Sequence, residues 1–211
     1  MVFVCHDEMS IQHALSYGHP ILFVGDKVIR KEYQEKVITV RDLPENIEHE
    51  PKLLSFTAWY AICKNHLFKE CEYLCILEWD VLLDPGFFTQ LQHVCSGSVD
   101  AVSFIHANIH FMSDINIPIA TQYLLNKGLP YSFQNRTWGA STNQCMRRSL
   151  LEEFVDWYYP SCLQIKEQDP DKFSWYHERL YIVFLETKQS NHRYCGGLRH
   201  FFANSHKKIN I

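Results

Sequence analysis

Two carboxylates one residue apart, in Glu78-Trp79-Asp80, end an apolar run that begins at Tyr73. Residues 73–77 read as a buried strand of a parallel sheet, where near-continuous hydrophobic runs are found. Carboxylates do not belong in a core unless they are paired or bound to a metal. At the C-terminal end of a parallel strand they stand where open α/β sheets bind ligands. Their hard oxygens suit Mn²⁺ or Mg²⁺, ions that bridge carboxylates to phosphates. The alternative is a polar strand end that pairs with a nearby Arg or Lys.

The elements that must hold this strand end follow a regular alternation. Residues 2–5, 20–25 and 37–40 read as strands, separated by helical patterns over 10–17 and 27–36. A long helix is expected over 50–65, with Leu54, Ala58, Ala61 and Ile62 on one face. Asp84-Pro85 reads as the cap and first position of a helix over 85–95, before a strand over 101–105. Strand-helix alternation predicts an α/β fold with a mostly parallel sheet flanked by helices. Residues 106–147 carry scattered turn signals around an expected helix over 118–126. Helices are expected over 148–158 and 173–188, and Gly196-Gly197 opens a glycine-hinged tail. Without repeats, low-complexity segments or linkers, the 211 residues read as a single domain.

Composition removes several classes of function. A net charge of −4 argues against nucleic acid as a partner, which calls for a basic stripe. No apolar run approaches the 18 residues of a membrane span, and the four apolar residues before Cys5 are too few for a signal peptide. The expected location is therefore cytoplasmic. Eight cysteines without a CxxC pair, mostly inside apolar segments, read as buried free thiols. No GxGxxG, GxxxxGK[ST] or GxSxG motif is present, which disfavours dinucleotide-binding, P-loop and α/β-hydrolase chemistry.

Three local features resemble the GT-A glycosyltransferases. Glu78-Trp79-Asp80-Val81 is similar to their DxD motif, with Glu in the first place. Trp138-Gly139-Ala140-Ser141-Thr142-Asn143, followed by Met146-Arg147-Arg148-Ser149, resembles the glycine-containing loop that lines the donor-sugar and acceptor pocket. Trp175-Tyr176-His177-Glu178-Arg179-Leu180 resembles an acidic helix segment that faces the acceptor. Over its length the chain is also similar to glycosyltransferase domains encoded by chlorella viruses, which would place it in the host cytoplasm.

The resemblance implies a nucleotide-binding half over about 1–105 and an acceptor-side half and C-terminal tail over about 106–211; the domain either acts alone or is part of a longer multidomain chain. It implies a UDP-sugar donor, a hydroxyl acceptor such as a glycan, and Mn²⁺ or Mg²⁺ held on the diphosphate. Asp80 is the expected ligand, His200 its nitrogen partner and Glu78 a third or indirect contact; His206 is the fallback for His200. Donor contacts fall to His6 after the first strand, Thr57 on the helix before the metal strand, and Trp138, Gly139 and Ser141 in the loop. Arg199, Lys207 and Lys208 add positive potential if the tail folds over the donor; otherwise they form a solvated terminus. Glu178, among Trp175, Tyr176 and Tyr181, is the expected base of an inverting transfer, or a surface acid paired with Arg179 or Lys172. Two rival functions stay open: a metal-dependent phosphohydrolase, which needs more strand-end ligands than His6-Asp7, and a non-catalytic nucleotide- or sugar-binding module.

Overall fold

The computed structural model describes residues 1–53, 55–104, 107–108, 137–138, 142–168 and 176–200. The expected helix over 118–126 lies outside them. Among the described residues the main sheet has seven strands, in the order β10-β6-β9-β4-β1-β2-β3. They are β1 (Val2–Cys5), β2 (Ile21–Phe23), β3 (Ile38–Thr39), β4 (Tyr73–Glu78), β6 (Ala101–Ser103), β9 (Gln144–Arg147) and β10 (His192–Tyr194). β1 to β4 are mutually parallel, and β9 runs against both of its neighbours, β4 and β6. Two short ribbons complete the fold: β5 (Val81–Leu83) with β11 (Leu198–His200), and β7 (Ala107–Asn108) with β8 (Thr137–Trp138).

Strand alternation sorts side chains into two cores. Val2, Val4, Leu22, Leu74 and Ile76 point to one face, where α3 (Phe56–Lys64), α5 (Arg148–Gln168) and α6 (Tyr176–Thr187) pack. Phe3, Cys5, Ile21, Phe23, Cys75 and Leu77 point to the other, under α1 (Glu8–Leu15) and α4 (Phe87–Cys95). Both faces are covered, which is why these strands read as unbroken apolar runs. The brief α2 (Lys31–Gln34) replaces the longer helix expected over 27–36. All eight cysteines are free thiols, six of them buried.

Several expected boundaries move for identifiable reasons. The expected helix over 50–65 divides into a 3₁₀ turn, Pro51–Leu53, and α3. Asp84 does not cap α4. Phe87 N–H donates back to the Asp84 carbonyl, and Gly86 takes φ 87°, so residues 84–87 form a type II turn with Pro85 in its favoured place. α5 runs on past Tyr158 through Pro160. Pro160 and Asp156, whose carbonyl loses its helical donor there, are both exposed residues.

Candidate functional site

Cys5, Phe23, Thr39 and Glu78 are the last residues of β1 to β4, and the chain beyond each one turns into a common cleft of about 670 Å³. His6 comes from the end of β1, Gly25 and Asp26 from beyond β2, Arg41, Glu48 and His49 from beyond β3, and Glu78, Trp79 and Asp80 from the end of β4. Ser55 and Thr57 open the N-terminal end of α3 onto the same space. Four of the residues singled out from sequence, His6, Thr57, Glu78 and Asp80, thus share one cleft at the carboxyl edge of a parallel sheet.

Asp80 is held from both sides. β5 begins immediately after it, and the Val81 carbonyl accepts bonds from His13 Nε2 at 2.9 Å and the Tyr17 hydroxyl at 3.3 Å, both on the α1 side. In the β5–β11 ribbon His200 lies opposite Val81. Its Nδ1 stands 3.3 Å from Asp80 Oδ2. Asp80 Oδ1 is buried and has no hydrogen-bond partner among the described residues. The hydrogen bond to Asp80 raises the His200 pKa above its ordinary value. Burial opposes that rise, and the charges of Asp80, Glu78 and Glu178 add to it.

Glu78 leaves β4 with its N–H bonded to Asn143 Oδ1 at 2.6 Å, and Asn143 is fully buried. Burial raises the Glu78 carboxyl pKa. Thr142 opposes that rise, Asp80 adds to it, and His200 and Ser55 oppose it. Thr142 and Asn143 belong to the loop that carries the family resemblance, yet neither stood out as a site residue; only the antiparallel insertion of β9 beside β4 brings them there. A second unforeseen group is His177, 1% exposed, whose Nε2 is 3.4 Å from Ser55 Oγ on the cleft wall. Glu178 follows it at the start of α6, half-buried.

The remaining candidates fall elsewhere. Arg199 is exposed and ion-paired to Asp84, on the opposite side of β11 from His200 and away from the cleft lining. Strand alternation sends adjacent side chains to opposite faces, so the ribbon turns only His200 toward Asp80, and His200 stands behind Asp80 and not among the residues that line the cleft. Tyr181 is fully buried among Trp59 and Phe154, so it is part of the core and not a stacking surface beside Glu178. Gly196-Gly197 is no free hinge. Gly197 takes φ 88° and its carbonyl accepts from Asp84 N–H at 2.8 Å, which fastens the start of β11 to the end of β5. Trp138 is in β8, and Gly139, Ser141, Trp175, His206, Lys207 and Lys208 lie outside the described residues.

Among the described residues no three His, Cys, Asp or Glu side chains stand close enough together to form a complete metal site. The chemistry of the Asp80–His200 pair still fits a divalent cation: a buried carboxylate oxygen without a partner beside an imidazole nitrogen. Mixed oxygen and nitrogen donors suit Mn²⁺ better than Mg²⁺. Two protein ligands leave most positions to water and to a ligand's phosphates, the usual arrangement for such ions at nucleotide sites. None of the described helices is long and apolar enough to cross a membrane.

No protein-family model matches the chain, and no curated protein sequence does. Among solved structures it is similar to the apo structure of WbbM, a bifunctional glycosyltransferase, with a TM-score of 0.62 and 9% identity. The match covers 94% of this chain and 45% of WbbM, so the chain spans less than half of that protein's length. A glycosyltransferase-like α/β fold is the class that these observations define.

Proposed function

We propose that this chain is a metal-dependent glycosyltransferase that moves a sugar from a UDP-sugar to a hydroxyl acceptor. The observation that carries the proposal is the pairing of Asp80 with His200 at the edge of a cleft fed by four strand ends, on a fold shared with a glycosyltransferase. Asp80 and His200 would hold the cation, with Glu78 behind them as an indirect contact. The bound ion would supply Lewis-acid stabilisation for charge developing on the departing diphosphate.

The protein's own residues would do the rest. The first turn of α3, opening at Ser55 and Thr57, would turn the positive end of its dipole toward an anionic donor. His6, edge-on to Trp79 at 5.7 Å, would contact the nucleoside from the end of β1. Asn143 fixes the backbone of Glu78. Glu178, near enough to act on the charge of His200, would take the acceptor hydroxyl's proton in an inverting transfer. On the family resemblance alone, the proposal extends to glycan synthesis for viral glycoproteins in a host cytoplasm.

Of the two strand-end ligands open to a phosphohydrolase, His6 and Asp7, His6 lines the cleft and Asp7 is engaged elsewhere. Asp7 caps α1 through Ser10 N–H at 2.8 Å and pairs with Lys27 at 3.3 Å, so it is engaged away from Asp80. Incubating the protein with Mn²⁺, a panel of sugar nucleotides and simple glycoside acceptors tests the proposal. Release of nucleoside diphosphate matched by a new glycoside supports it. Release of inorganic phosphate without a glycoside product overturns it.

A further inference from the structure

Beyond β2, two strands along the sheet edge from Asp80, Glu48 Oε1 is buried and has no hydrogen-bond partner among the described residues. The other oxygen, Oε2, accepts from Gly25 N–H at 2.9 Å, which fixes the plane of the carboxylate. The loop that holds it is itself built: Asn46 Oδ1 accepts from Glu48 N–H, and Asn46 Nδ2 donates to the Leu43 carbonyl. A fixed carboxylate with one unused oxygen on a cleft wall asks for a single N–H or O–H donor from a ligand.

Resting on the glycosyltransferase reading, we propose that Glu48 determines donor specificity by accepting the ring N–H of the nucleobase, N3–H of uracil or N1–H of guanine. Strand order gives the spacing. Asp80 follows β4 and Gly25 follows β2, two strands away, or about 10 Å at the usual strand spacing. A nucleoside diphosphate whose phosphates lie at Asp80 reaches that far with its base edge. Cytosine N3 and adenine N1 carry lone pairs at the corresponding ring position, and these would face the carboxylate without a hydrogen between them. Burial and the Asp26 charge raise the Glu48 pKa, while the Gly25 N–H and the Arg41 charge favour the ionised acceptor form.

Binding of UDP, GDP, CDP, ADP and N3-methyl-UDP, each titrated calorimetrically into the full chain with Mn²⁺, tests the assignment. A charge-assisted bond lost from a buried acceptor corresponds to at least about tenfold in affinity. UDP or GDP should therefore bind at least about tenfold tighter than CDP and ADP, and UDP should exceed N3-methyl-UDP by a similar factor. In Glu48→Gln the amide oxygen should keep the Gly25 bond and turn the amide N–H₂ toward the base. The preference for UDP over CDP should then shrink or reverse. Equal binding of UDP, CDP and N3-methyl-UDP would overturn the Glu48 assignment and leave the donor reading intact. A preference for CDP in the unaltered protein would mean a protonated Glu48 and would also overturn it. No binding of any nucleotide would overturn both.

Discussion

His200 and Asp80, 120 residues apart in sequence, meet with Nδ1 3.3 Å from Oδ2 because β11 pairs with β5 directly after Asp80. The contact depends on three anchors: the Val81 carbonyl held from α1, the antiparallel register of Leu198–His200 on Val81–Leu83, and the Asp84–Gly197 backbone bond. A cation held by these two side chains would tie the last described strand to the end of β4.

Asp80→Asn keeps shape but removes the charge. Its melting temperature without metal should stay close to that of the unaltered protein at a pH above the folded-state His200 value, where the imidazole is neutral in both. Mn²⁺-dependent nucleotide binding and turnover should fall by about a hundredfold or more, in the range seen when a charge-stabilising group is removed from an active site. Glu78→Gln should cost less, because Glu78 acts behind the pair. Equal losses at the two positions would make Glu78 a direct ligand.

The raised pKa of His200 gives two pH dependences of opposite sign. Without metal, the protonated imidazole is favoured in the folded state by Asp80. Its stabilisation is fully present below the unfolded value of about 6.5 and is lost as pH rises through the higher folded value. Metal binding needs the neutral ring, so Mn²⁺ affinity should rise over that same window as pH rises. Thermal melts with and without Mn²⁺ from about pH 5.5 to about pH 8.5, a span on both sides of the ordinary histidine value, check both slopes. His200→Gln should flatten both.

Much of this arrangement can be read in the sequence, and the rest depends on contacts that leave no local trace. β1, β2 and β4 are legible because both of their faces are buried, and His6, Glu78 and Asp80 follow from the ends of those strands. β9 is missed because Gln144-Cys145-Met146-Arg147 has neither alternation nor a long apolar run. With it goes Asn143, whose role exists only once β9 lies beside β4. Glu48 sits in a loop without periodicity, and the Ser55–His177 contact spans 122 residues. His200 is found through the resemblance, but its strand partner is not, so the glycine pair reads as a hinge instead of the fixed start of a ribbon.

Asn143→Ala leaves the buried Glu78 N–H without its acceptor. A buried donor left unsatisfied costs about 1–3 kcal/mol. The variant should melt several degrees lower, and its remaining folded fraction should bind Mn²⁺-UDP more weakly. Full stability with unchanged binding would show that water replaces the amide and that Asn143 does not position the metal strand.

Gly197→Ala puts a side chain where φ is 88° and where the new Cβ would stand 3.5 Å from Phe87. Non-glycine residues in the left-handed region cost about 1 kcal/mol or more. The strain falls on the start of β11, so His200 should be the residue that loses its place. The expected outcome is a modest loss of stability with a larger loss of Mn²⁺ affinity, read by calorimetry beside thermal melts.

Glu178→Gln should lower kcat by roughly 10²–10⁴-fold with little change in either KM, the range for removal of general-base help. Intact kcat with a raised acceptor KM would make Glu178 a binding residue, and inversion would lose its support in this chain.

The most direct test of the central claim is anomalous diffraction at the manganese edge from crystals grown with Mn²⁺ and UDP. A single strong peak is expected between the Asp80 carboxylate and the His200 imidazole, in contact with the UDP diphosphate. UDP bound in the cleft with no manganese at Asp80, or manganese held elsewhere in the chain, would contradict it.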